Sequence, residues 1–125
     1  MAGNAELVRR YIEAVSAGDL DTVESLITDD VAIHVPGRSA MSGERRGKEG
    51  VLAMFAAMRD RSGGTMPVQV HDLLESDEHV VALLQRTIAG VDARAAIVYH
   101  LRDGLISEIW PHEADQYALD EAMGG

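Results

Sequence analysis

Four side chains of this sequence have the chemical character needed to move a proton or to stabilise a developing negative charge. Tyr11 and Tyr99 are phenols on predicted apolar faces of a helix and a strand, and a phenol in an apolar pocket stabilises an oxyanion without itself being charged. His34 is an imidazole, the side chain that most often serves as a general base in proteins. Asp115 follows the last predicted strand, and a carboxyl group at the mouth of a cavity can act as a general acid or base. Together these residues are typical of proton transfer on a carbonyl compound.

Each of these residues also has a purely structural interpretation. Tyr11 fits the apolar stripe of a helix, and Tyr99 fits a buried strand position. Alternation along a strand puts His34 and Val35 on opposite faces, so His34 points away from any cavity that Val35 lines. Asp115 stands where a helix N-cap would stand. The sequence leaves both interpretations open.

The first part of the chain predicts two helices joined by a sharp corner. Apolar residues recur at helical spacing over residues 7–15 and again over residues 20–27. Gly18 is suited to end the first helix in a left-handed conformation, and Asp19 is suited to cap the second. Asp29-Asp30 then closes the helix pair.

The next segment predicts one strand, one loop and a third helix. Residues 31–35 are a short β-rich run that ends at Pro36-Gly37. Residues 38–46 are polar and predict a loop, whereas residues 47–61 have the apolar spacing of a helix. This helix would end at Ser62-Gly63-Gly64.

The second half of the chain has a period close to two and predicts long antiparallel strands. The expected strands cover residues 66–75, 79–89, 93–102 and 105–112, and a short helix is expected over 115–122. Helices first and strands afterwards predict an α+β fold with helices packed on one sheet face, leaving a pocket between the two layers. The expected connecting turns are residues 76–78, 90–92 and 102–104.

Composition excludes several classes of protein. The chain has 125 residues and a net charge of −10, so it lacks the basic face that nucleic acids require. No run approaches the roughly 20 apolar residues needed to cross a bilayer, and the N-terminus lacks a signal-peptide layout. There is no cysteine, and the five histidines show no metal-ligand spacing. We therefore expect a cytoplasmic protein without a metal, cofactor, nucleic-acid partner or membrane partner.

Several short motifs occur along this predicted order of helices and strands. The order and the motifs together make the chain resemble a known superfamily. It is similar to the nuclear transport factor 2-like proteins, and most to the SnoaL-like polyketide cyclase and ketosteroid isomerase branch. The resemblance covers nearly all of residues 1–125 as one domain. It implies a conical α+β fold with three N-terminal helices on a strongly curved, mostly antiparallel sheet, and a homodimer. The motifs are Gly18-Asp19-Leu20, Asp29-Asp30, His34-Val35-Pro36-Gly37, Gly43…Gly47-Lys48-Glu49, Arg102-Asp103-Gly104-Leu105-Ile106 and Asp115-Gln116-Tyr117.

The resemblance also suggests roles for individual residues. Tyr11 matches the tyrosine donor of the steroid isomerases, but Val35 occupies the position of their carboxylate base. Tyr99, or Ile97 in another alignment, stands near the position of their protonated aspartic acid. Val35, Tyr99 and Ile97 all lack a carboxyl group, so the usual set of catalytic residues of the steroid isomerases is incomplete. SnoaL-like cyclases place an acid/base aspartate near Asp115.

The resulting prediction is a cavity protein that performs cofactor-free cyclisation, isomerisation or dehydration of a small hydrophobic carbonyl compound. The alternatives are non-catalytic binding of a small hydrophobic ligand, and a dimerisation module with a vestigial pocket. The predicted catalytic residues are Asp115, His34, Tyr11 and Tyr99, and the predicted pocket-lining residues are Val15, Val35, Phe55, Ile97 and Trp110.

Overall fold

A computed structural model describes residues 3–124, which form a sheet of seven strands and four helices. Met1, Ala2 and Gly125, which the predicted single domain includes, lie outside the described residues. The fold is α+β, as the order of sequence patterns predicts. None of the helices within residues 3–124 has the length and apolar character needed to span a bilayer.

The corner between the first two helices has the predicted geometry. Helix α1 covers Asn4–Ala17, and Gly18 follows it with a φ of 75°, which is the left-handed region that glycine adopts most easily. Helix α2 covers Leu20–Ser25, and the Asp19 carboxylate accepts a hydrogen bond from the Thr22 amide at 3.2 Å. This arrangement turns the chain sharply and keeps the apolar stripe of α1 on the core.

The segment after α2 differs from the prediction. Strand β1 covers Ile27–Val35 and therefore begins directly after the six-residue helix α2. Residues 43–46, predicted as loop, form strand β2 (Gly43–Arg46), which pairs antiparallel with β1. Helix α3 (Gly47–Arg61) follows β2. Only two short helices thus precede the first strand, and the third packs on the sheet from a later position in the chain.

The remaining strands complete a mixed sheet whose order is β2-β1-β7-β6-β4-β3. Neighbouring strands are antiparallel except for β1 and β7, which are parallel. The short strand β5 pairs with β4 where the sequence predicted only a turn. These elements are β3 (Val68–Glu75), β4 (His79–Ile88), β5 (Val91–Asp92), β6 (Ala95–Arg102), β7 (Leu105–Glu113) and helix α4 (Gln116–Ala122).

Side-chain alternation gives the sheet an inner face towards the helices and an outer face away from them. On β6, Ala95, Ile97, Tyr99 and Leu101 are buried, and the residues between them are more exposed. Register shifts interrupt the pairing of β1 with β7, β3 with β4 and β6 with β7, and such bulges bend strands. The main core lies between the inner face and helices α1 to α3.

Candidate functional site

An apolar cavity of about 90 Å³ lies between α1, α3 and the inner face of the sheet. This volume is enough for several waters or a small organic molecule, and it is well below that of most drug-sized sites. Four of the five predicted lining residues, Val15, Val35, Phe55 and Ile97, lie in its wall. The wall also contains Tyr11, Ile12, Ser16, Ile33, Met54, Met58, Met66, Val68, Leu84, Arg86, Ile88 and Ile109.

Tyr11 contributes a hydroxyl group to this wall that can donate a hydrogen bond to a ligand. Its side chain is 3% exposed, and its hydroxyl has no hydrogen-bond partner among residues 3–124. Burial, and secondarily the neighbouring Tyr99, raises the pKa of Tyr11 well above the ordinary value, so the hydroxyl stays protonated. An unpartnered buried hydroxyl costs about 1–3 kcal/mol, which a ligand oxygen would offset by accepting its hydrogen bond.

Tyr99 is a neighbour of Tyr11 and does not face it across the cavity. The ring centroids of Tyr11 and Tyr99 are 5.7 Å apart in an edge-to-face arrangement, and Phe55 contacts Tyr11 in the same way at 6.1 Å. Tyr99 is fully buried, and this burial raises its pKa. The structure thus places Tyr99 behind Tyr11, where it supports the ring, and does not place it in the cavity wall.

His34 and Trp110 both lie on the outer face of the sheet. Strand alternation holds along β1, so Ile33 and Val35 line the cavity and His34 points the other way. The His34 Nε2 is 2.6 Å from a carboxylate oxygen of Glu108, and its ring stacks on Trp110 with centroids 5.7 Å apart. The predicted placement of Trp110 in the pocket wall is therefore corrected, because its position on β7 has outward parity.

Asp115 is exposed and caps helix α4. Its carboxylate accepts a hydrogen bond from the Ala118 amide at 3.1 Å, which is the geometry of an N-cap. Asp115 therefore has the structural role of a helix cap, and it does not line the cavity. Of the four predicted catalytic residues, only Tyr11 thus lies in the cavity wall.

Two charged residues that the sequence reasoning missed lie beside the cavity. Arg86 on β4 is in the cavity wall, and its guanidinium donates a hydrogen bond to the carboxylate of Glu113 on β7. Both side chains are largely buried, with exposures of 14% for Arg86 and 5% for Glu113. Glu113 borders a smaller outer lobe of about 30 Å³, and Arg86 borders both the lobe and the cavity.

The alternation of inward-facing and outward-facing residues along β4 and β7, or strand parity, could have predicted this pair. Arg86 lies two residues from the buried Leu84 and Ile88, so it has inward parity on β4. Glu113 shares the parity of the buried Ile109 on β7. Two opposite charges with inward parity on an otherwise apolar face predict a buried ion pair, since an unpaired charge there would be costly.

Burial shifts the pKa of Glu113, the acid of the pair. Removal of water raises the pKa of Glu113, and the positive charge and hydrogen bond of Arg86 oppose that shift only in part. His112, the neighbouring residue on β7, opposes it further. Glu113 is thus a carboxyl group that can hold or release a proton nearer to neutrality than an exposed glutamate.

The site therefore combines an apolar cavity, a protonated donor at Tyr11 and an ion pair at one end. It can bind an apolar molecule, donate a hydrogen bond to its oxygen and exchange a proton or an anion at the Arg86–Glu113 pair. Within residues 3–124, no group of three His, Cys, Asp or Glu side chains is placed to hold a metal ion.

The fold and the site define a class of small α+β domains in which helices pack over a mixed sheet and leave an apolar cavity between the two layers. The sequence profile of the SnoaL-like domain family matches residues 8–109. The chain belongs to this family, and it shares its fold with solved NTF2-like proteins and ketosteroid isomerase-like proteins. The resemblance seen in the sequence motifs is confirmed.

Individual relatives support the same assignment. The uncharacterized protein Rv0034 of Mycobacterium tuberculosis is 33% identical over 120 residues, which cover 92% of each chain. The structure of Bal32a, from a soil-derived mobile gene cassette, is 31% identical with a TM-score of 0.91, covering 96% of this chain and 95% of Bal32a. IdmH of Streptomyces antibioticus, a candidate polyketide cyclase, is 24% identical with a TM-score of 0.76, covering 90% and 93%, and shows the fold alone.

Proposed function

We propose that this protein binds a small, mainly apolar carbonyl compound in the cavity, with the carbonyl oxygen accepting a hydrogen bond from Tyr11. The observation that carries the proposal is the buried Tyr11 hydroxyl, which has no partner in the described part of the chain and belongs to an apolar wall. A bound oxygen would satisfy this donor, and the surrounding aliphatic side chains would bury the rest of the ligand. A filled core would have favoured the dimerisation module, so the presence of a cavity supports ligand binding.

A thermal-shift series tests the proposal. Small ketones such as methyl propyl ketone should raise the melting temperature of the protein, because a ligand that binds only the folded state stabilises it. Ketones too bulky for a cavity of about 90 Å³ should give no shift. An equal response to small and bulky ketones would count against binding in this cavity.

A second candidate function is cofactor-free proton transfer on the bound compound, which is the reaction class that the resemblance implies. The observation that favours it is Glu113, a buried carboxyl group with a raised pKa beside the cavity. Glu113 would remove or return a proton next to the carbonyl, and Tyr11 would stabilise the resulting enolate. This assigns the acid/base role to Glu113, since Asp115 is occupied as a helix cap.

Deuterium exchange distinguishes the two functions. If the protein catalyses proton transfer, the hydrogens next to the carbonyl of methyl propyl ketone should exchange with heavy water faster than in buffer. The Glu113→Gln variant should lose on the order of 10²-fold or more of that rate, and Asp115→Asn should keep it. Ketone binding without accelerated exchange would leave the protein as a binding protein.

We also propose that the protein is a homodimer that pairs through the outer face of the sheet, in the cytoplasm. This face carries three apolar side chains that are only partly buried within one chain, namely Leu83, Val98 and Trp110. Apolar side chains grouped on one sheet face are typical of an interface. Sedimentation at micromolar concentration should show a dimer for the natural chain and a monomer for Trp110→Arg. A monomer in both cases would contradict the proposal.

A further inference from the structure

The cavity and its outer lobe adjoin each other and share four lining residues. Val35, Met58, Arg86 and Ile88 border both parts, so a molecule that fills both would pass between these side chains. Three of the four are apolar, and Arg86 is the charged member. The guanidinium of Arg86 therefore lies where the apolar part of the space meets the part beside helix α4.

Arg86 is held in this position by two contacts. Its Nε donates a hydrogen bond to the Ala93 carbonyl at 3.1 Å, and its Nη2 donates to the Glu113 carboxylate. The backbone contact fixes the guanidinium independently of Glu113. Glu113 borders the outer lobe, whereas the cavity proper contacts Arg86 and not Glu113. A guanidinium presented in this way binds a planar carboxylate through its fork of donors.

We propose that the natural ligand is a short oxo-carboxylic acid, whose carboxylate replaces that of Glu113 on Arg86 while its carbonyl oxygen accepts the Tyr11 hydrogen bond. This inference rests on the proposed binding of a carbonyl compound and names its chemical class. Tyr11 and Arg86 both line the cavity, and nearly all of its other lining residues are apolar, so the hydrocarbon part of such a molecule would contact apolar side chains.

Proton uptake is the consequence that makes this proposal testable. One guanidinium compensates one carboxylate, so a second, largely buried carboxylate beside it loses its partner and is expected to be neutralised. The ligand is held by Arg86, and Glu113, whose burial already favours the neutral form, takes a proton from solvent. Other ionisable groups near Glu113 are His112 beside it on β7, and His71 and Arg94, which line the same surface groove as Glu113.

Calorimetric titration of the full-length protein with levulinate, a short oxo acid, and methyl propyl ketone, its neutral match, tests the proposal. Levulinate should bind on the order of tenfold more tightly than the ketone, because it adds a charge-assisted hydrogen bond. Titrations in buffers of different ionisation enthalpy should show that levulinate binding takes up as much as about one proton, and ketone binding none. Levulinate affinity should fall as pH rises, by up to about tenfold per pH unit.

Two variants identify the proton acceptor. In Glu113→Gln, levulinate should bind without proton uptake and with an affinity that no longer depends on pH. In the control His112→Gln, which changes an exposed neighbour of Glu113, the uptake should persist. Uptake that persists in Glu113→Gln and vanishes in His112→Gln would overturn the assignment to Glu113.

The two probes separate this inference from the proposal on which it rests. If the ketone binds and levulinate binds no better, or binds without proton uptake, the oxo-acid inference is wrong and carbonyl binding stands. If neither probe binds, the proposed function fails as well. Tighter levulinate binding with proton uptake that Glu113→Gln abolishes supports both.

Discussion

Replacing Arg86 by methionine should destabilise the protein by about 3–5 kcal/mol at neutral pH, which is the usual cost of leaving a buried charge without its partner. The variant keeps an unbranched side chain of similar length but removes the guanidinium from Glu113, whose side chain is 5% exposed. The carboxylate then has neither water nor a cation to stabilise it. Urea denaturation would measure the loss in free energy of unfolding.

The pH dependence of this loss has a definite sign. Without Arg86, burial raises the pKa of Glu113 with less opposition, so the folded state holds a proton that the unfolded state releases above about pH 4. Stability contributed by the protonated carboxyl is therefore present at acidic pH and is lost as pH rises through the folded-state pKa. The cost of Arg86→Met should be smallest in acid.

A double variant provides the control. Combining Arg86→Met with Glu113→Gln removes both charges, and the double variant should regain most of the stability that the single variant loses. A loss that is the same at acidic and neutral pH, and that persists in the double variant, would mean that Arg86 acts through packing of its aliphatic stem rather than through its charge.

Replacing Tyr11 by phenylalanine should have opposite effects on stability and on binding. Without ligand, the variant should be more stable by roughly 1 kcal/mol, because it removes a buried hydroxyl that has no partner. Ketone affinity should fall about tenfold, since the ligand oxygen loses its donor in an apolar site. Urea denaturation and calorimetric titration would measure the two quantities on the same samples.

Tyr99→Phe is the matched control for this substitution. It removes the hydroxyl of the neighbouring buried phenol, which packs on Tyr11 but is not in the cavity wall. Ketone affinity should stay as in the natural protein. If Tyr99→Phe weakened binding as much as Tyr11→Phe, the two hydroxyls would share the role that we assign to Tyr11 alone.

The helical corner could be predicted because local residues determine it. A glycine in the left-handed conformation and an aspartate cap act within a few residues of themselves, and Gly18 and Asp19 do so here. The start of β1 could not be predicted in the same way. Ile27 continues the apolar stripe of α2, yet it pairs with Ile106 on β7, and that distant partner decides its conformation.

Strand β2 was missed because its sequence lacks any apolar alternation. Its residues, Gly-Glu-Arg-Arg, are largely exposed at the edge of the sheet, and backbone pairing with β1 holds them in place. The short strand β5 escaped prediction for a related reason, since only two residues pair with β4. Patterns of burial predict buried strands well and edge strands poorly.

The sequence predicted the apolar lining of the candidate site better than its charged residues. Alternation correctly separates Val35 and Ile97 on the inner face from His34 on the outer face. Asp115 was predicted to be a catalytic carboxylate near the end of β7. The carboxylate with inward parity is instead Glu113, two residues earlier. Pairing of Arg86 with Glu113 joins residues that are 27 positions apart, and the sequence does not show which strands bring them together.

The carbonyl stretching frequency of a bound ketone tests the central claim most directly. A hydrogen bond from Tyr11 weakens the carbonyl bond, so the infrared band of methyl propyl ketone should move to lower frequency in the natural protein than in an apolar solvent. In Tyr11→Phe, at a concentration that saturates the variant, the band should return to its apolar-solvent position. An identical frequency in the two proteins would contradict the claim that Tyr11 is the donor to the ligand.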